Sequence, residues 1–184
     1  IKTELSAAGV HVVQPEDLNS TDVAWLQKLF LSHIFPILTP IAADPAHPFP
    51  FILNKGLTIV VEMQRQTDSE TMSGLIPIPS QLERFIRLEP DPAKPKEIRF
   101  IQLESMIAMF LTELFTGFEI KSKGAFRLLR DSDIELQEEA EDLVRSYESQ
   151  LKRRRRGNVI RLEIEAGMPE RLRQFVIEEL DVKE

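Results

Sequence analysis

The segment Leu57-Thr58-Ile59-Val60-Val61-Glu62-Met63 constrains the fold of this chain more than any other. It is rich in β-branched residues and nearly continuous in apolar character, so an extended strand here has apolar side chains on both sides. Such a strand is stable only when covered on both faces, and an interior strand is expected. A polar turn, Gln66 to Glu70, follows it. Met72 to Pro79 then resumes with alternation, predicting a β-hairpin whose second strand lies at a sheet edge or ends at Pro77, where no ladder hydrogen bond is possible.

Around this hairpin the periodicity alternates between helix and strand. Residues 1 to 19 are expected to form an extended lead-in arm, in which Val10, Val12 and Val13 either add a strand or pack against the body. Asn19-Ser20-Thr21-Asp22 supplies capping residues for a helix with Val23, Leu26, Leu29, Phe30 and Ile34 at helical spacing, stopped by Pro36. Pro36 to Pro50 is predicted as a loop, because proline removes a backbone donor and pushes its predecessor away from helical angles. Ser80 to Leu88 reads as a short helix or turn followed by a strand. Glu89 to Pro95, with three prolines, reads as an exposed loop.

Ile98 to Ile101 is predicted as a strand leading into a helix from about Glu104 to Phe115, with Gly117 in the terminating position. Phe118 to Lys121 and Phe126 to Arg130 are predicted as a second hairpin pivoting near Gly124, interrupted at Asp131 to Asp133 before Ile134-Glu135-Leu136. The next helix, Glu138 to about Arg156, carries the stripe Ala140, Leu143, Val144, Tyr147 and Leu151, with acidic residues first and arginines last, and Gly157 beyond. Val159 to Glu165 alternates, with Ile160, Leu162 and Ile164 expected inward and Arg161, Glu163 and Glu165 outward. Gly167-Met168-Pro169 opens a final helix with Leu172, Phe175, Val176 and Leu180 inside. Interleaved hairpins and helices imply an α+β fold, a mixed and largely antiparallel sheet packed with helices as an α/β sandwich.

At 184 residues, with 42% hydrophobic and 29% charged residues, the chain is long enough for one substantial core. No apolar run approaches a membrane span. There is no cysteine, which excludes disulfides and thiolate metal sites, and with no secretory h-region at the start an intracellular location is expected. The net charge of −7 argues against general nucleic-acid binding. The first residue is Ile rather than Met, which leads us to expect a piece of a longer polypeptide.

The candidate chemistry is sparse. His11, His33 and His47 form no metal-ligand spacing. Neither a phosphate-binding GxxxxGK[ST] loop, nor GxGxxG, nor a GxSxG nucleophile elbow is present. His47 has the residue type of a general base, yet its only nearby acid is Asp44 and prolines surround it. Glu163 and Glu165 share a strand face, which alternation turns to solvent, so neither is placed for acid–base work. Phe49 and Phe51 either form a partner surface or pin the proline-rich loop over the core. Lys152-Arg153-Arg154-Arg155-Arg156 is the densest charge: it suits a helix C-terminus, and its guanidinium forks also suit a polyanion.

Three stretches, FPILTPIAADPAHPFPFI (35 to 52), LIPIPSQLERFIRL (75 to 88) and IQLESMIAMFLTELFTGFEI (101 to 120), resemble the middle, or head, domain of the long-chain polyphosphate kinases. The resemblance continues through FRLLRDSDIELQEEAEDLV (126 to 144) and RRRRGNVIRLEIEAGMPERL (153 to 172). It implies a lead-in over residues 1–19 and the middle domain over residues 20–184. It implies a parent enzyme that reversibly transfers the terminal phosphate of ATP to polyphosphate through a phosphohistidine, with magnesium, as a cytoplasmic homodimer either free or membrane-associated. In that family the nucleophile and the main ATP and magnesium contacts lie in other domains, and none of those motifs occurs here. The segment is therefore expected to hold no catalytic, cofactor or metal residue. It is expected to meet neighbouring domains, with Arg153, Arg154, Arg155 and Arg156 as candidates for touching polyphosphate. The alternative is a self-sufficient phosphate-handling enzyme using His47 or His33 with the arginine cluster.

Overall fold

The computed structural model describes residues 2–43, 49–92, 94–131 and 159–182. At its centre is β3 (Leu57–Arg65), the strand expected to be interior, flanked by β4 (Thr71–Ile78) and β7 (Phe118–Arg130). With β2 (Ile41–Ala43) and β8 (Val159–Ile164) outside them, these make a five-stranded antiparallel sheet of order β2-β4-β3-β7-β8. A second sheet of order β1-β6-β5 comprises β1 (Val10–Val13), β6 (Ile98–Gln102) and β5 (Phe85–Arg87). Among the described residues only the β1–β6 pair is parallel, so the arrangement is the mixed, largely antiparallel α+β sandwich expected.

The near-continuous apolar character of β3 is explained by two cores. Ile59, Val61 and Met63 point to one side, where they join Leu26, Phe30 and Ile34 of the first long helical segment and Met106, Ile107 and Phe110 further on. Val60 points to the other side, with Leu75, Phe126, Leu128, Leu172 and Val176. All five of those partners and Val60 itself are almost fully buried.

The helices are α1 (Lys2–Ala7), α2 (Ser20–Leu29), α3 (Leu103–Met109), α4 (Leu111–Leu114) and α5 (Glu170–Glu179). Asn19 caps α2, accepting from the Asp22 backbone N–H at 2.9 Å while Asp22 Oδ2 accepts from the Asn19 backbone N–H at 3.3 Å. Asp22 also receives both guanidinium nitrogens of Arg99 from β6, at 2.7 and 2.9 Å, and Arg99 Nη2 donates to the Glu89 carbonyl at 3.1 Å. The two side chains are only 6% and 10% exposed. The carboxylate hydrogen bond raises the Arg99 pKa, with desolvation opposing it. This fork ties the start of α2 to the small sheet.

Several expectations change in detail. Pro36 does not end the helical path at once: α2 passes through a π-turn (Phe30–Ile34) and a 3₁₀ turn (Phe35–Ile37). A proline cannot donate and its ring crowds the carbonyl four residues back, so the ladder loosens ahead of it and Phe35 N–H bonds Phe30 O. The expected loop from Pro36 to Pro50 contains β2, which pairs with Ser73 to Leu75. β4 is thus interior at those residues, and Pro77 lies beyond the end of that pairing. The helix expected over 104–115 breaks at Phe110, whose backbone (φ −115°, ψ 24°) separates α3 from α4. Gly117, with φ +86°, lies two positions beyond Phe115, the C-cap of α4, one residue later than the terminating position expected. In the lead-in, Val10–Val13 does add a strand, and α1 precedes it.

The hairpin expected to pivot at Gly124 is instead the single thirteen-residue strand β7. Glu62 pairs with Ser122 and Met63 with Ile120, leaving Lys121 as a bulge. An extra residue swaps the faces of a strand. Before the bulge Phe118 and Ile120 pack on the first core, and after it Phe126 and Leu128 pack on the second. Gly124 is needed for closeness rather than turning, since a Cβ there would lie 2.7 Å from Met168. A second bulge explains Ile160. Leu129 pairs with Arg161 but Arg130 with Val159, so Ile160 is the extra residue and is 61% exposed instead of inward. Leu162 and Ile164 pack inward as expected. Pro169 caps α5 one position before its first turn. The helix expected over Glu138 to Arg156 and the segment Ile134 to Leu136 lie outside the described residues.

Two stability outcomes follow from these joints. Asp22→Ala should cost about 3–5 kcal/mol in urea unfolding, because it leaves Arg99 buried and unpaired, while Asp22→Leu with Arg99→Met should cost far less. Gly124→Ala should cost about 1–3 kcal/mol by overpacking, and Met168→Ala should be less destabilising in that background than alone.

Candidate functional site

The alternation of the large sheet places one row of small and polar residues on the face covered by α5. Ala43 lies opposite Ser73, Ser73 opposite Glu62, and Glu62 opposite Ser122, so four neighbouring strands each contribute one member. The row leaves space beneath the start of α5. The resulting cleft, of about 190 Å³, is closed by Glu70, Thr71 and Met72 on the hairpin and by Arg171, Leu172 and Phe175 on the helix. That volume is below the roughly 300 Å³ at which small-molecule pockets begin. It accommodates a side chain or a few waters rather than a nucleotide.

Glu62 is the charged residue of the floor, 14% exposed, and its carboxylate is already engaged. Oε1 meets Arg171 Nη1 at 2.7 Å and Oε2 accepts from Ser122 Oγ at 3.1 Å. At the rim Glu70 is held by Arg65 at 2.9 Å. Arg65 also grips Asp68 at 2.8 Å, and Asp68 Oδ1 accepts from the Glu70 backbone N–H. That backbone hydrogen bond, followed by the Arg65 contact, lowers the Asp68 pKa. Each of these carboxylates is thus turned on a neighbour within the chain, Glu62 on Arg171 and Ser122, and Asp68 and Glu70 on one shared nitrogen of Arg65. Sequence reasoning did not single out Glu62 or Arg171. A lone charge inside an apolar strand, and a cation in a first helical turn where the dipole favours anions, are the signals that pick them out.

The residues singled out from sequence fall elsewhere. His47 and Arg153, Arg154, Arg155 and Arg156 lie outside the described residues. His33 sits exposed on the π-turn, its Nδ1 2.6 Å from Ser32 Oγ. His11 is on β1, with Nε2 3.8 Å from Glu97. The two described histidines therefore sit on separate elements, and no group of three or more potential metal ligands occurs among the described residues. Glu165 faces outward yet accepts from the Ala125 backbone N–H at 2.9 Å, while Glu163 pairs with Arg161. Phe49 packs on Phe175, pinning the chain to the second core. Phe51 does not join it: it is 51% exposed, beneath the Arg130 guanidinium at 5.2 Å. No helix among the described residues is long and apolar enough to cross a membrane.

Arg171 is 76% exposed, which screens the pair, but its removal leaves the 14% exposed Glu62 with Ser122 alone, so Arg171→Ala should cost about 1–2 kcal/mol in urea unfolding.

The family model described as the polyphosphate kinase middle domain matches residues 21–184. The polyphosphate kinase of Erythrobacter litoralis (strain HTCC2594) is 48% identical over 181 residues, covering 98% of this chain and 24% of that protein. That of Thermosynechococcus vestitus (strain NIES-2133 / IAM M-273 / BP-1) is 34% identical over 187 residues, covering 100% and 26%. The crystal structure of polyphosphate kinase from Porphyromonas gingivalis superposes with a TM-score of 0.76 at 20% identity, over 100% of this chain and 25% of that one, a likeness of fold. The chain spans about a quarter of the length of the curated relatives it matches. It belongs to the polyphosphate kinase family, in which it corresponds to the middle domain.

Proposed function

We propose that this chain is a non-catalytic scaffold domain of a polyphosphate kinase. The parent enzyme moves the terminal phosphate of ATP onto the end of a polyphosphate chain, releasing ADP, and the transfer is reversible. A histidine in another domain carries the phosphate between the two, with ATP and magnesium held there. The lead-in over residues 1–19 and the domain over 20–184 form one scaffold within a cytoplasmic homodimer, free or associated with a membrane.

The observation that carries this reading is the match to one domain along almost the whole chain, at about a quarter of the relatives' length. The internal engagement of Glu62, Arg171 and Ser122 supports it, since these groups brace α5 against the sheet. Within this reading Arg153, Arg154, Arg155 and Arg156 form a basic wall along the polyphosphate path. Adjacent guanidinium groups suit successive phosphate oxygens.

The test is ATP-dependent polyphosphate synthesis with magnesium, comparing the segment with the full-length protein. Only the full-length protein should form polymer. Polymer made by the segment alone, and lost in His47→Ala, would establish the self-sufficient enzyme instead. The segment should also bind polyphosphate in a salt-sensitive manner that weakens when all four arginines are changed to glutamine. Undiminished binding by that variant would remove the basic wall from the account.

A further inference from the structure

The helical path from α2 to Ile37 carries two apolar stripes where one core needs a single stripe. Leu26, Phe30 and Ile34 recur every fourth residue and are 0%, 0% and 4% exposed, forming the face that packs on the first core. Leu31 and Phe35 recur one position later, and Ile37 follows Pro36; these are 45%, 39% and 47% exposed. Phe35 makes an edge contact with the buried Phe30, with ring centroids 6.0 Å apart, so its base is fixed while its outer surface stays exposed. The π-turn over Phe30–Ile34 and the proline at 36 hold this second stripe at the end of the helical run.

We infer that Leu31, Phe35 and Ile37 form the docking strip for another domain of the same polypeptide, one whose contacting face is apolar and which lies outside residues 1–184. This rests on the reading that the chain is one domain of a longer kinase. The choice of occupant follows from size. Three side chains, each less than half exposed, present far less than the roughly 800 Å² per partner of a stable association between separate molecules. The strip is too small to recruit a free partner or a second copy by itself. A domain on the same chain is held at an effective concentration of about millimolar, so a small apolar contact suffices to dock it. The relatives supply that material, since this chain accounts for only 24–26% of their length.

The test uses the full-length protein with its other cysteines replaced by serine. Single variants Phe35→Cys, Leu31→Cys and Thr67→Cys, the last at the exposed tip of the β3–β4 hairpin, are labelled with iodoacetamide in native and urea-unfolded protein. The strip positions should react at least about tenfold more slowly than Thr67→Cys in the native protein, unchanged on dilution over about a hundredfold range. A photo-crosslinker attached at position 35 should join peptides outside residues 1–184 of the same molecule, read in a mixture of isotopically light and heavy protein. Equal reactivity of strip and hairpin tip overturns the inference. Protection lost on dilution, or light-to-heavy crosslinks, assigns the strip to a second copy and overturns it too, as do crosslinks confined to residues 1–184. Polyphosphate synthesis by the unmodified protein is assayed separately. If it forms no polymer the functional reading fails, while the labelling still decides what covers the strip.

Discussion

Burial of β3 on both faces is the constraint from which the rest of the structure follows. A strand with Ile59, Val61 and Met63 on one side and Val60 on the other excludes water only if each side receives its own layer. One layer is α2 with its helical extension, α3 and α4; the other is α5. The antiparallel neighbours β4 and β7 repeat this division, with Ile76 and Leu75 in opposite cores. Each fully buried aliphatic side chain contributes about 1.5–3 kcal/mol, so the two-sided strand is where folding gains most per residue.

Two kinds of joint keep the layers in register. The first is polar: the Arg99–Asp22 fork closes the α2 cap and fastens it to β6 in the same stroke. Its contribution is to orientation, because desolvating both charges offsets much of their attraction. The second is steric. The bulges at Lys121 and Ile160 decide which face each half of β7 and β8 presents, and Gly124 lets Met168 approach the sheet. Without the bulge at Lys121, Phe126 and Leu128 would fall on the same face as Phe118 and Ile120, in the wrong core.

Much of this was legible in the sequence, and the parts that were not share a cause. β3, the first hairpin, the α2 cap and the inner face of α5 each announce themselves by local periodicity or capping chemistry. The second hairpin was misread because a bulge and a turn leave the same mark, a break in alternation, and Gly124 reinforced the turn. Ile160 fits a perfect inward pattern that a bulge overrides. The cleft was not legible because its row of Ala43, Ser73, Glu62 and Ser122 exists only through pairing across four strands. Within the proline-rich loop lies β2, which is too short to stand out before its partner is known.

The chain is a double-cored domain whose polar groups brace its own layers and which leaves Leu31, Phe35 and Ile37 exposed at the exit of α2. That organisation fits a domain that positions others. The claim beneath it is that β3 is the common wall of both cores, and native-state hydrogen exchange tests it most directly. The backbone amides of Ile59, Val60 and Val61 should exchange only through global unfolding, with the largest opening free energy and the full denaturant dependence of the chain. Exchange of those amides through a smaller opening, while α2 or α5 stays protected, would contradict the account.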